Sequence, residues 1–254
     1  MTTFALVGKK LGHSFSKAWF GSKFEREGLD GFNYINIETD DIASLPQTVR
    51  ELGIRGFNVT FPYKQTILQI LDHIDPVAEA VGAVNTVVID DFGKLNGYNT
   101  DVIGFRETLR PLLKPYHTRA LVLGTGGAAL AVAYVLDELF IDFDLASRSR
   151  EKRNAIHYDQ LTQKDIRNAS VIVNATPLGT FPDVDSAPAI PYSGIEKFHL
   201  LYDLVYNPAE TQFMREGAKR GAQVLNGMGM LVRQAEESWK LWQAALKTDG
   251  SSVR

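Results

Sequence analysis

The chain has 254 residues, 44% of them hydrophobic and 22% charged, with a net charge of −3 and no cysteine. That length allows one large domain or two modest ones around a sizeable core. The missing cysteines exclude disulfides, thiolate metal sites and cysteine nucleophiles, and the slight acidic balance gives no footprint for nucleic acid or an anionic membrane.

The first hundred residues read as strands alternating with helices. "TFALVG" is a short apolar strand, and "SKAWFGSKFEREG" carries Trp19, Phe20 and Phe24 near helical spacing and stops at Gly28. "FNYINIE" alternates as a strand, "IASLPQTVRELG" is a helix despite Pro46, and "IRGFNVTFP" is a strand ended by Pro62. "YKQTILQILDHI" is read as a helix, and "AVNTVVIDDFGKLNGYNTD" as a hairpin turning at Gly93.

From Val102 the pattern changes. "VIGFRETLRPLL" is helical, "RALVLG" is a short buried strand, and "AALAVAYVLDELF" is an apolar helix. "DFDLAS", "SVIVNAT", "HLLYDLVYN" and "AQVLNG" are further strands, with "AETQFMREGAKRG" a helix among them. Such alternation implies an α/β fold with a parallel sheet covered on both faces. The tail "MLVRQAEESWKLWQAALK" is a helix with an apolar stripe of Leu231, Ala235, Trp239, Trp242 and Leu246. The expected division is residues 1–101 with 231–254, and residues 102–230, joined at a candidate hinge over Asn99–Asp101.

No basic segment precedes the first apolar run, and no apolar run reaches 18 residues, so a cytoplasmic protein is expected. The five histidines share no metal-ligand spacing, so no metal site is expected.

Gly124, Gly126 and Ala129 fit G-x-G-x-x-A between a strand and a helix, the pattern of a dinucleotide site. The turn needs torsions that side chains resist, the backbone must approach a pyrophosphate, and the helix offers its free N–H groups to the anion. The end of the second strand selects the cofactor. An NAD site places an acidic residue there for the ribose 2′-hydroxyl. Here Ser147, Arg148 and Ser149 stand at the tip, and Asp144 falls about 10 Å short of it at about 3.3 Å per residue. Arg148 suits a 2′-phosphate, with the two serines as further donors, so NADP is expected.

Outside that half, Ser14 and Ser16 suit a carboxylate, with Ser16 equally suited to capping a helix. Lys64 follows a proline-stiffened turn, and Asn85 and Asp101 lie near the junction of the halves, with Asp101 also suited to capping the next helix.

Together the motifs "HSFS", "NVTFPYK", "GAVNTV", "NTDVIGF", "GTGGAA", "NATPLG", "DLVYNP" and "GMGMLVRQA" resemble, in their order, the shikimate dehydrogenase family over nearly the whole chain. The resemblance implies an N-terminal α/β substrate domain, a Rossmann-like NADP-binding domain and a cleft between them. It implies reversible, NADPH-dependent reduction of 3-dehydroshikimate to shikimate in aromatic amino-acid biosynthesis. Carried over, Lys64 and Asp101 form the catalytic pair and Ser14 and Ser16 hold the substrate carboxylate. Thr60, Asn85, Tyr206 and Gln234 bind the rest of the substrate. Gly124, Thr125, Gly126, Gly127 and Ala128 cradle the pyrophosphate, and Thr176 and Gly229 lie near the nicotinamide. The partners are small molecules, not nucleic acid or membrane, and a monomer or homodimer is expected. Lys17 stands where the family commonly has proline, and Leu130 where it commonly has a basic residue. An NAD-dependent quinate/shikimate dehydrogenase and a non-catalytic nucleotide-binding module are the rival readings.

The chemistry suits these residues. Hydride reduction of a ketone builds negative charge on its oxygen, and a lysine there can stabilise the charge and give a proton. A lysine's ordinary pKa near 10.4 makes it an acid rather than a base at neutral pH.

Overall fold

The computed structural model describes residues 1–12, 15–151 and 154–248. Ser14 and His13 lie outside them. The chain divides into two compact units, Met1–Thr100 with Ala235–Arg254, and Asp101–Gln234. The first boundary falls one residue, and the second four residues, from the expected positions. Among the described residues no helix is long and apolar enough to cross a membrane.

The first unit is built on strands β1 (Thr2–Gly8), β2 (Phe32–Glu38), β3 (Ile54–Val59), β4 (His73–Ile74), β5 (Thr86–Ile89) and β6 (Leu95–Tyr98), in the order β2-β1-β3-β5-β6-β4. Its helices are α1 (Phe15–Arg26), α2 (Leu45–Glu51) and α3 (Pro76–Val81). The sheet is mixed rather than parallel. β1 runs parallel to β2 and β3, but β5 is antiparallel to both β3 and β6. The short loop of the β5–β6 hairpin, with Gly93 at φ +74°, enforces that reversal.

Side-chain alternation along β1 divides the core in two. Ala5 and Val7 face a cluster with Leu45, Val49, Phe57 and Ile67, whereas Phe4 and Leu6 face Phe20, Phe24 and Tyr34. The long helix α8 (Met228–Thr248) covers the second face with Ala235, Trp239, Trp242 and Leu246. Leu231, the remaining member of the expected stripe, falls in the other unit. Trp242 stacks on Phe4 with ring centroids 4.5 Å apart, and its indole N–H donates to the Val87 carbonyl at 3.0 Å. Gly56 is what lets it sit there: a Cβ on Gly56 would lie 2.4 Å from Trp242 Nε1. Gly56→Ala is therefore expected to cost about 2–4 kcal/mol, from overpacking plus the displaced indole hydrogen bond. Urea denaturation checks this, as a lower midpoint with an unchanged slope.

The segment "YKQTILQILDHI" is not the expected α-helix. Thr66–Ile70 forms a 3₁₀ turn, and His73–Ile74 pairs with β6. The backbone N–H groups of Asp72 and Asp75 donate to the carbonyls of Leu95 and Gly97, so the neighbouring strand takes the groups a helix would have used. Two further short helices have no counterpart in the sequence reading above. The first, α3, has Asp75 as its cap and Pro76 at its start. The second, α6 (Gln163–Asn168), has a Thr162–Asp165 capping box.

The second unit opens with α4 (Asp101–Leu109) and contains β7 (Arg119–Leu123), α5 (Gly127–Glu138), β8 (Asp142–Ser147), β9 (Ile156–His157), β10 (Val171–Asn174), β11 (Leu200–Asp203), α7 (Gln212–Ala218) and β12 (Gln223–Leu225). All its strands are parallel, in the order β12-β11-β10-β7-β8-β9. Counted from β7, that is the 3-2-1-4-5-6 order of the Rossmann fold, and β7 and β10 flank its switch point. One face packs Leu121, Leu123, Ile172 and Leu201 against Ile166 and Phe213. On the other, Tyr202 meets Phe105 of α4, with ring centroids 5.0 Å apart.

Candidate active site

In an open parallel sheet, ligands bind outside the carboxyl ends of the strands at the switch point. The turn after β7 lies there. Gly124 has φ +120°, a conformation that side chains resist, and a Cβ on it would lie 3.1 Å from the Ala175 carbonyl oxygen and 3.3 Å from the Thr176 methyl. The loops after β7 and β10 therefore touch through a missing side chain. The chain then passes Thr125 to the extended Gly126 and enters α5 through Gly127 and Ala128. No side chain caps that helix, and its first turn holds no acidic residue, so its leading N–H groups face no competing carboxylate. Ala129, third in the glycine pattern, is fully buried.

At the tip of β8, Ser147 is buried and its Oγ accepts the Ser149 N–H at 3.1 Å, which shapes the turn. Arg148 is exposed, its carbonyl held 2.9 Å from His157 Nε2, and among the described residues its guanidinium makes no ion pair. Asp144 pairs across the sheet with Leu121, and its carboxylate lies 2.6 Å from Arg119 Nη2. The nearest acidic side chain on β8 is thus short of the tip and already neutralised.

The loop after β10 is organised by Asn174 and by Asp203, its register partner on β11. Asp203 is completely buried, and burial pushes its carboxyl up to about 6, against the opposing pull of three hydrogen bonds. Those bonds come from the Thr211 hydroxyl at 2.5 Å, the Asn174 amide at 2.9 Å and the Val205 N–H at 3.0 Å. Asn174 Oδ1 in turn accepts the N–H of Thr176 at 3.1 Å and its hydroxyl at 2.6 Å. Tyr206 follows on the loop after β11, half-buried, with its phenol pKa raised by burial.

In the first unit, Thr60, Lys64 and Asn85 come together where β3 ends and β5 begins. The Thr60 N–H donates to Val7 O at 2.9 Å, the Val59 N–H to Asn85 O at 2.8 Å, and the Val84 N–H to Lys64 O at 2.8 Å. Lys64 is half-buried. Asn85 is buried, and its side chain holds Thr100 from both ends: Oδ1 accepts the Thr100 N–H at 2.7 Å, and Nδ2 donates to its hydroxyl at 3.0 Å. Beneath it, Asn58, Thr86 and Ser238 form a buried polar knot, with Thr86 and Ser238 hydroxyls 2.8 Å apart. Ser16 lies inside the first turn of α1, not at its cap. The loop before it is pinned by Glu38, which accepts the Leu11 N–H at 2.6 Å.

Asp101, which opens α4, is buried and falls in the second unit with Gln234. Gln234 Nε2 donates to the Leu231 carbonyl at 2.9 Å. Gly229 packs on Thr108, where a Cβ would meet its methyl at 3.1 Å.

A family model described as the shikimate dehydrogenase substrate binding domain matches residues 6–87. A relative from Methanococcus maripaludis, named shikimate dehydrogenase (NADP(+)), is 36% identical over 253 residues, covering 93% of this chain and 90% of its own. The chain belongs to the shikimate dehydrogenase family. Among solved shikimate dehydrogenases, that of Peptoclostridium difficile is 37% identical, with a TM-score of 0.83 over 96% of this chain and 92% of its own. The shikimate dehydrogenase of Thermus thermophilus, solved in complex with NADP(H) and shikimate, is 34% identical, with a TM-score of 0.84 over 96% of this chain and 94% of its own.

Within "NATPLG" and "DLVYNP", Asn174 and Asp203 carry no role that the sequence alone assigns. The available signal was an aspartate closing a strand that is otherwise apolar, followed by a loop rich in turn residues.

Proposed function

We propose that this chain catalyses the reversible, NADPH-dependent reduction of 3-dehydroshikimate to shikimate in aromatic amino-acid biosynthesis. The observation that carries this reading is the near full-length match to a relative named shikimate dehydrogenase (NADP(+)), in a chain that keeps Lys64, Asn85 and Thr60 at one sheet end. Residues 1–101 with the C-terminal helix bind the carboxylated ring, and residues 102–230 bind the cofactor.

The second unit fits a dinucleotide. A Cβ on Gly126 would meet nothing within 4 Å, so the backbone there is open to a phosphate, and α5 begins without a capping side chain. Gly124 to Ala128 would hold the pyrophosphate, Ser147 to Ser149 the 2′-phosphate, and Thr176 and Gly229 the nicotinamide end. When bound, the cofactor supplies the hydride. Lys64 stabilises the negative charge that grows on the ketone oxygen and gives it a proton, and Asp101 assists that transfer. Ser14 and Ser16 fix the carboxylate, and Thr60, Asn85, Tyr206 and Gln234 orient the ring, so reacting atoms meet without a further search.

The NAD-dependent rival needs an acidic group at the tip of β8, where Arg148 stands and Asp144 is paired to Arg119. Absorbance near 340 nm, followed with shikimate and either NADP⁺ or NAD⁺, tests the whole reading. The expected result is a rise with NADP⁺ at least about tenfold faster than with NAD⁺, equivalent to one good charge-assisted hydrogen bond. Equal rates would remove the cofactor assignment, and no rise with either, from folded protein, would remove the activity.

A further inference from the structure

The carboxyl ends of β10 and β11 hold a buried acid that the mechanism above does not use. Asp203 is 0% exposed and closes β11 directly opposite Asn174. Burying a carboxylate is costly, and an apolar side chain would fill the place at less expense. Its hydrogen bonds show what it does there. A carboxylate accepts only, so Asp203 Oδ1 settles which way the neighbouring amide faces. Asn174 Nδ2 points to Asp203 and to the Leu178 carbonyl, at 2.9 and 3.3 Å. Asn174 Oδ1 must then point the other way, where it accepts both the N–H and the hydroxyl of Thr176. Thr176 is the residue whose methyl would stand 3.3 Å from a Cβ on Gly124.

We propose that Asp203 is a positioning residue for the cofactor: through the amide of Asn174 it fixes Thr176 against the Gly124 turn, and so sets the affinity for the dinucleotide. This rests on the NADP reading above. Asp203 touches neither ligand in this scheme. Its second oxygen accepts the Thr211 hydroxyl, and Thr211 Oγ1 also accepts the Met214 N–H at 3.2 Å as the cap of α7. A purely structural role through that cap is therefore the competing account.

Two substitutions separate the accounts. In Asp203→Asn the remaining carbonyl oxygen can still accept from Asn174 and Val205, and the new NH₂ can donate to Thr211 Oγ1, so the amide of Asn174 keeps its orientation. In Asp203→Ala the amide loses its 2.9 Å acceptor and keeps only the longer 3.3 Å bond to the Leu178 carbonyl, so the acceptor of Thr176 is held less firmly. The readouts are NADP⁺ affinity by calorimetry, the KM for shikimate at saturating NADP⁺, and melting temperature. Asp203→Ala is expected to weaken NADP⁺ about tenfold and leave the shikimate KM within about twofold, whereas Asp203→Asn stays within about threefold of the unsubstituted protein for both. Unchanged NADP⁺ affinity in folded Asp203→Ala, or equal losses for both ligands, would overturn the proposal. So would an Asn variant as weak as the Ala variant. If Asp203→Ala does not fold, Thr176→Val keeps the shape and removes the hydroxyl bond. A several-fold weaker NADP⁺ supports the proposal, and unchanged binding overturns it. Unsubstituted protein that binds no NADP⁺ would instead refute the cofactor reading, and this inference with it.

Discussion

Replacing Lys64 with alanine is expected to lower kcat for shikimate oxidation by about a hundred- to ten-thousand-fold, the usual range for removing a positioned proton-transfer group. The KM for shikimate should move only a few-fold. The reason is where the lysine acts. Charge on the reacting oxygen is small in the bound alcohol or ketone and large in the transition state, so an ammonium beside it stabilises the latter more. The backbone of Lys64 also holds Val84, one residue from Asn85, but through its carbonyl, which alanine retains. The substitution thus removes the ammonium and leaves the turn stitched. Steady-state kinetics with both substrates varied checks the split. A normal kcat with a raised KM alone would make Lys64 a binding group only.

Arg148→Ala should raise the KM for NADP⁺ by about ten- to a hundredfold and leave that for NAD⁺ almost unchanged. A hydrogen bond to a charged group contributes about 1.5–3 kcal/mol, and a 2′-phosphate offers Arg148 a paired contact. NAD⁺ lacks that phosphate, so nothing is lost with it. The guanidinium makes no ion pair among the described residues, so its removal leaves no carboxylate stranded. The ratio of kcat/KM for the two cofactors, measured before and after the substitution, is the quantity to compare. A parallel loss with both would place Arg148 in the fold of the tip and not in phosphate recognition.

Legibility followed the range of the interactions involved. β2 and β8 match their quoted segments end to end because alternation and local turn residues define them. The Gly124 turn was readable because its requirement, a backbone that tolerates φ +120°, is a property of one residue. The segment around His73 was misread because its pairing with β6 depends on Asn96 and Gly97, more than twenty residues away. Asp203 was overlooked for the same reason. The apolar run around it signals burial, but the partner that gives it a role, Asn174, stands twenty-nine positions earlier. Asn85 stands out in the sequence, but its grip on Thr100 spans fifteen positions, and the knot beneath it forms only when α8 brings Ser238 to the sheet.

The division of the chain bears on how it is made. Residues 101–234 are contiguous, so that unit has all its strands in hand as soon as it leaves the ribosome. The first unit does not. Phe4, Phe20, Phe24 and Tyr34 are synthesised early, yet the helix that covers them contributes Trp239 and Trp242 only after the whole second unit has been translated. An aromatic surface therefore waits uncovered through the synthesis of more than a hundred residues, which at about 5–20 residues per second is on the order of ten seconds. During that interval the nascent chain offers chaperones, and other nascent chains, a sticky face that the finished protein conceals.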